Sequence, residues 1–200
     1  IVIVISQASY GWLEGATMNV LRGRLVTRLR NADQHHRLRV CCPLLEGQAK
    51  SCMSVHSKLL IVDDRLVRVG SANLSNRSMG FDTECDVAIE AGERPEVQRA
   101  IARLRNTLLA EHLGATADEF AAALNQTRSL IGAVKALRGQ PQRTLALVDC
   151  TVPEWLDQMI PQSALVDPEA PVAPETLIEE FVLSERHGSA SGALLRGLLI

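Results

Sequence analysis

Aromatic residues make up only 3% of this 200-residue chain, which leaves few rings for stacking exposed bases. Charge of one sign is also lacking. The formal net charge is −2, so no global field draws the protein to nucleic acid or anionic lipid. Long apolar runs are missing as well: the five-residue stretch Ile1–Ile5 is too short for a membrane span or a signal-peptide core. The five cysteines (Cys41, Cys42, Cys52, Cys85 and Cys150) form neither a CxxC pair nor a zinc-type spacing. An odd count without a framework fits a reducing compartment, with cysteine acting as a small buried apolar residue. What is present is ordinary globular composition, 46% apolar and 22% charged, and length for one full domain with a remainder.

The chain opens on Ile1-Val2-Ile3-Val4-Ile5, an all-apolar run that reads as a buried strand already under way. Residues 193–200 turn hydrophobic as the chain stops, so both ends read as cut. Ser9-Tyr10-Gly11 breaks the first strand. A helix is then expected from Trp12 to Arg30, with Leu21, Leu25 and Leu29 on its apolar face and Arg22, Arg24, Arg28 and Arg30 elsewhere. Arg37–Cys42 reads as a strand ended by Pro43, and the strand–helix–strand order implies parallel neighbours with a right-handed crossover. Val55–Val62 and Leu66–Val69 read as strands turned by Asp63-Asp64-Arg65. Cys85–Glu90 adds another strand and Glu96–Leu113 a helix. Beyond Gly114 come short helices at Thr116–Leu124 and Thr127–Arg138 and a strand at Leu145–Val148. An extended linker with four prolines follows from Pro161, then a short helix at Thr176–Leu183.

Residues 55–73 read VHSKLLIVDDRLVRVGSAN. They contain His56-x-Lys58, then Asp63 after four residues, then Gly70-Ser71-x-Asn73 after six more. Strand alternation projects His56 and Lys58 to one face, about 7 Å apart, a separation suited to gripping one phosphate. Breaking a phosphodiester without metal needs a nucleophile at phosphorus, neutralised equatorial oxygens and a proton for the leaving alkoxide. Histidine can serve as nucleophile or acid near neutral pH. Lys58 brings three donors and a full charge, Asn73 an uncharged donor, Ser71 a hydroxyl or backbone N–H, and Gly70 permits close backbone approach.

This pattern resembles the His-Lys-Asp signature of the phospholipase D superfamily, complete at every position but present once, with no second His-x-Lys in the chain. The resemblance implies an α/β fold: a mixed, centrally parallel sheet flanked by helices, with a C-terminal helical extension. It divides the chain into a catalytic half-domain over residues 1–113, a helical extension over 114–160 and a Pro-rich linker and tail over 161–200. It further implies phosphodiester cleavage through a phosphohistidine, in which one motif's histidine attacks phosphorus and the other's protonates the leaving group. The acceptor is water for hydrolysis or an alcohol for transphosphatidylation. No metal or other cofactor is implied, and no metal-ligand cluster stands in the sequence. Two motifs are needed, so the partners implied are a phospholipid at a membrane surface and either a missing N-terminal motif half or a second copy.

Asn73-Leu74-Ser75-Asn76-Arg77-Ser78-Met79-Gly80 with Asp82-Thr83-Glu84, and Ser9-Tyr10-Gly11-Trp12-Leu13-Glu14, resemble bacterial phospholipases D and transphosphatidylases. Within that resemblance His56 matches the second motif and would be the general acid. Glu84 would hold the imidazole of the motif histidine, with Asp82 the competing carboxylate, and Asp63 would have a structural role. The tail with Glu154-Trp155-Leu156 and its prolines resembles bacterial forms that continue into a membrane domain. That implies a cytoplasmic protein, peripheral to or tethered at the inner membrane through a missing C-terminal region.

Competing readings share these residues. A homodimeric nuclease would use the same chemistry, although the charge balance and scarce aromatics argue against nucleic acid as a partner. Cardiolipin synthase-type transfer differs only in its acceptor alcohol, and a non-catalytic docking half is the third competitor. His35-His36 reads as a solvated loop, the arginines of the first helix as an outer face and Trp12 as partly buried core. Arg77 and Ser78 could serve the phosphate or cap the next element, and His112 and His187 read as surface residues.

Overall fold

β-Branched runs alternate with helix-forming segments along most of the chain. The computed structural model, which describes residues 1–6, 12–45, 53–80 and 82–148, folds accordingly as mixed α/β. In order come β1 (Val2–Val4), α1 (Trp12–Ala32), β2 (Arg39–Leu45), β3 (Lys58–Val62), β4 (Leu66–Gly70) and α2 (Asn76–Gly80). β5 (Asp86–Glu90), α3 (Pro95–Leu113), α4 (Ala117–Thr127), α5 (Leu130–Leu137) and β6 (Arg143–Leu147) follow. One unit comprises Ile1–Ser71 and Asp86–Cys150 and holds both sheets; the described parts of the second are residues 72–80 and 82–85.

The strands divide, among the described residues, into two three-stranded sheets where one sheet with a parallel centre was expected. In the first, β2 lies between β1, parallel to it, and β6, antiparallel. The parallel pairing of the strands flanking α1 is the one the strand–helix–strand order implies. The second sheet, β3-β4-β5, is antiparallel throughout. The three residues Asp63, Asp64 and Arg65 that join β3 to β4 are too few for a parallel crossover, so that pair is antiparallel.

Pro43 does not end β2; it pairs with Leu145 inside it. Its neighbour on the other side, β1, pairs only as far as Cys41, and the Pro43 carbonyl accepts from the Met53 N–H at 2.8 Å. The missing proline N–H therefore falls where the parallel partner has already run out, an edge-like position that tolerates it.

Alternation along β2 sends side chains into two cores. Val40 and Cys42 pack with Val26 of α1 and with Val148. On the opposite face Cys41 and Leu145 join Leu109, Ala110 and Leu113 of α3, Phe120 and Ala123 of α4, and Ala133 and Val134 of α5. Residues 117–147, inside the expected helical extension, supply a strand to the first sheet and two helices to its core. The α1 face also differs from expectation. Val20 and Val26 are buried, whereas Leu25 and Leu29 are exposed. Val26 lies one position from the Leu21-Leu25-Leu29 stripe, and it is Val26 that meets the sheet, at Val40, Cys42 and Val148. Arg30, expected on an outer face, donates to the Val148 carbonyl at 2.8 Å.

α4 begins with a capping box: Thr116 Oγ1 accepts from the Glu119 N–H at 3.2 Å, and the Thr116 N–H donates to Glu119 Oε2 at 2.7 Å. Ser129 caps α5 with its side chain alone, accepting from the Gly132 N–H at 3.2 Å. In the second sheet Ile61 and Val67 pack under Ile101, Val97 and Ala91. The next cross-strand row, Leu59, Val69 and Val87, remains exposed.

Two further expectations change. Cys42 is disulfide-bonded, while Cys41 and Cys85 carry free thiols, so the reading of all five cysteines as reduced apolar residues does not hold for Cys42. Burial pushes the Cys41 thiol up and keeps it protonated. His112, expected at the surface, is half-buried, and its Nδ1 is buried without a hydrogen-bond partner. Ser9-Tyr10-Gly11, Glu154-Trp155-Leu156, the linker from Pro161, the helix at Thr176–Leu183 and His187 lie outside the described residues, as do the side chains of Trp12, Leu21 and Arg77.

Phe120 is fully buried where α3, α4, α5 and the first sheet meet. Phe120→Ala should cost about 3–5 kcal/mol, read as a lowered urea midpoint. Stability should also depend on pH through His112. Burial, opposed by Glu111 and aided by Arg143, holds this imidazole below its ordinary value of 6.5. The unfolded chain then binds the proton more readily, so this contribution is complete above about pH 6.5 and lost as the pH falls through that value. Comparing urea midpoints at about pH 7 and pH 5 should show a drop that is smaller in His112→Leu.

Candidate active site

His56 lies in the extended segment leading into β3, and Lys58 is the first residue of that strand. The strand is shorter than the expected Val55–Val62 because pairing with β4 begins at Lys58 opposite Gly70. The segment is held one residue earlier by a reciprocal pair: the Val55 N–H donates to Ser6 Oγ, and the Ser6 hydroxyl donates to the Val55 carbonyl at 3.1 Å. Ser6 thus positions the residue preceding His56, a role that nothing in the sequence singles out.

Lys58 Nζ stands 3.1 Å from His56 Nε2 and donates to the His56 carbonyl at 3.0 Å. An ammonium has donors and no lone pair, so in this arrangement Nε2 is the acceptor and the imidazole proton resides on Nδ1. An imidazole lone pair and a full positive charge are thereby presented together. His56 is exposed and Lys58 half-buried, so both can reach a phosphate from solvent. Opposite Lys58 the residue is Gly70, which places no side chain beside the lysine. Ser71 follows at once and is exposed.

The turn after β3 is narrow. Asp63 and Asp64 adopt φ of 48° and 58°, and the Arg65 N–H donates to the Val62 carbonyl at 2.9 Å. Positive φ at both central residues is the handedness that suits a hairpin, and aspartate tolerates it better than most residues. Asp63, the third letter of the signature, is exposed. The structural ion pair belongs to its neighbour: Arg105 of α3 reaches Asp64, with 16% of the arginine side chain exposed and 38% of the aspartate. Burial holds the Arg105 guanidinium below its ordinary value.

Asn73 and Glu84 belong to the second unit. Asn73 is exposed, and its Nδ2 donates to the buried Ser78 Oγ at 3.5 Å. The Ser78 N–H in turn donates to Ser75 Oγ at 3.4 Å, so the short α2 begins on a braced loop. Glu84 is half-buried and Asp82 exposed. Among the described residues no group of three or more His, Cys, Asp or Glu is placed to hold a metal ion, and no helix is long and apolar enough to cross a membrane.

The phospholipase D family model matches residues 29–181, most of the chain, and the chain belongs to that family. It is 41% identical over 76 residues to phospholipase D delta of Arabidopsis thaliana, a match covering 33% of this chain and 8% of that protein. Against the phospholipase D of Phytophthora infestans the identity is 40% over 81 residues, covering 34% of this chain and 4% of the relative. Phospholipase D alpha 1 of Zea mays is 36% identical over 72 residues, with coverage of 33% and 9%. The matched stretch spans less than a tenth of the length of these relatives. No solved structure matches the chain.

The Asp64–Arg105 pair separates the two turn aspartates experimentally. Asp64→Asn should lower stability by about 1 kcal/mol, a value that allows for its exposure to solvent. Asp63→Asn should stay within about 0.5 kcal/mol, because asparagine tolerates the same φ at an exposed site. Denaturant midpoints of the two variants, compared at one pH, provide the check.

Proposed function

We propose that this chain is one motif half of a phosphohistidine phosphodiesterase that cleaves the distal phosphodiester of a glycerophospholipid. The observation that carries the reading is the 3.1 Å approach of Lys58 Nζ to His56 Nε2 inside a complete signature. A phosphate entering at this point draws the ammonium toward its non-bridging oxygens and frees Nε2. The freed Nε2 takes up a proton from solvent, and the resulting imidazolium passes that proton to the leaving alkoxide and returns to neutral imidazole, while the histidine of a mate motif attacks phosphorus. With the first product gone, neutral His56 takes the proton from water or an alcohol that attacks the phosphohistidine, which regenerates both imidazoles.

In this proposal Asn73 and Ser71 supply uncharged donors to the phosphate and Glu84 fixes a motif imidazole. Asp63 stays out of the chemistry. The mate motif comes from an upstream half or from a second copy of this chain. Transfer to an alcohol, as in the bacterial transphosphatidylases the sequence resembles, follows if the acceptor site admits more than water. The placement that goes with this proposal is cytoplasmic, peripheral to or tethered at the inner membrane.

Incubation with phosphatidylcholine vesicles and ethanol should yield phosphatidylethanol. His56→Ala should reduce the yield at least ~100-fold, the scale of a lost general acid. Cleavage of nucleic acid with no phosphatidylethanol would overturn the lipid reading in favour of the nuclease. Phosphatidylethanol unaffected by His56→Ala would remove the motif from the mechanism.

A further inference from the structure

Two cysteines adjacent in the sequence end in different cores. Cys41 and Cys42 alternate along β2, so Cys41 packs with Leu109, Leu113 and Leu145, and Cys42 with Val26, Val40 and Val148. Both are buried. Of the two, Cys42 is disulfide-bonded and Cys41 is a thiol. The chemistry above gives that bond no task.

The register points to its partner. Cys85 also carries a thiol, which leaves Cys52 and Cys150, both outside the described residues. A disulfide needs its two Cα atoms about 4.4–6.8 Å apart. β6 passes Cys42 at Ala146, and at Val148, whose N–H donates to the Val40 carbonyl at 3.0 Å, it is already two rungs beyond. Each extended residue adds about 3.4 Å, so the strand is travelling away from Cys42 as it approaches Cys150. The approach to the motif does the reverse. The Met53 N–H donates to the Pro43 carbonyl at 2.8 Å. Pro43 follows Cys42 and Met53 follows Cys52, so each cysteine is one peptide link from the bond that joins the two segments.

We propose that Cys42 and Cys52 form a redox-responsive disulfide that ties the approach to the motif histidine onto β2. Met53, Ser54 and Val55 alone separate Cys52 from His56. The Ser6–Val55 hydrogen bonds hold the near end of that approach, and the disulfide holds its far end. In the cytoplasmic placement proposed above thiols are kept reduced, and the disulfides that do form there are mostly transient, redox-sensing ones. The oxidant is a low-molecular-weight disulfide. One cysteine, as its thiolate, attacks it and expels a small thiolate; the other then displaces the second small thiolate from the mixed disulfide. Two electrons pass to the small disulfide, and the two cysteine protons end on the two small thiols released. A dithiol reverses the exchange. Cys41 does not compete, because it faces the other core and burial keeps its thiol protonated.

The test oxidises the full chain with glutathione disulfide, alkylates it with iodoacetamide under denaturing, non-reducing conditions and maps its tryptic peptides by mass spectrometry. Peptides 40–50 and 51–58 should appear joined, the second carrying His56 and Lys58 themselves, with Cys41, Cys85 and Cys150 alkylated. Cys52→Ser should leave Cys42 open to alkylation, and Cys150→Ser should leave the link intact. In the native chain dithiothreitol should separate the two peptides and speed hydrogen exchange of the Val55 amide at least about tenfold, with the α3 amides unchanged. Cys52→Ser should show the faster Val55 exchange without reductant. Peptide 40–50 joined to peptide 144–186, or to nothing, would overturn the pairing. Joined peptides with Val55 exchange unmoved by dithiothreitol would overturn the tether.

Discussion

Both sheets depend on one helix. α3 runs from Pro95 to Leu113, and its two ends are buried against different partners. Near its start Val97 and Ile101 cover Ile61 and Val67 of the β3–β4 hairpin. Near its end Leu109, Ala110 and Leu113 close the core of the first sheet with Phe120 and Leu145. Between these contacts Arg105 reaches the hairpin turn at Asp64. A three-stranded antiparallel sheet with a largely uncovered face has little independent stability, so the hairpin needs this cover to hold its shape. The position of Lys58 relative to β1 and β2 is then set by a rigid helical rod at one side. The Ser6–Val55 bonds set it at the other. The site is consequently attached to the scaffold at both ends of the motif strand, as a group gripping phosphate requires.

What was legible in the sequence divides along physical lines. Strong local signals located the elements. The all-β-branched opening run, the Asp63-Asp64 turn and the Gly114 break correspond to β1, the hairpin and the end of α3 within a few residues. The motif pair was legible because alternation is a local property, and His56 and Lys58 do meet. Choices between near-equal alternatives were not. On α1 Val26 and Leu25 differ by one helix position, and only contact with Val40, Cys42 and Val148 decides for Val26 over Leu25. Pro43 reads as a strand end because a local rule cannot see that β1 stops two residues earlier.

Non-local pairing was the larger loss. β6 returns from residue 143 to lie beside β2, across a separation of about a hundred residues, so the chain from residue 114 through β6 belongs to the first unit. No periodicity in a helix–helix–strand run announces where its strand will pair. Arg105 and Arg68 were missed for the same reason. Each is unremarkable as a letter, and only the register and the packing of α3 bring the first to Asp64 and the second to the face of Lys58.

Charge ties these elements to the chemistry. In-line attack on a phosphodiester concentrates negative charge on the non-bridging oxygens, and a site that stabilises it needs preorganised positive groups in a water-poor cleft. Among the residues on this sheet face, Lys58 is the cation that directly accompanies His56, and Arg68 is already engaged by Asp86. One lysine and one imidazole provide a single fixed charge and one proton carrier. The reaction asks for an attacking group as well as a proton donor, so the arithmetic of groups alone calls for a second histidine and favours a second lysine. The engaged Arg68 cannot substitute for that lysine without leaving the Asp86 carboxylate uncompensated beside the phosphate, which would oppose the charge it had come to stabilise. The pair therefore stays outside the proposed chemistry, which leaves the reacting phosphate to His56, Lys58 and the mate that the proposal requires.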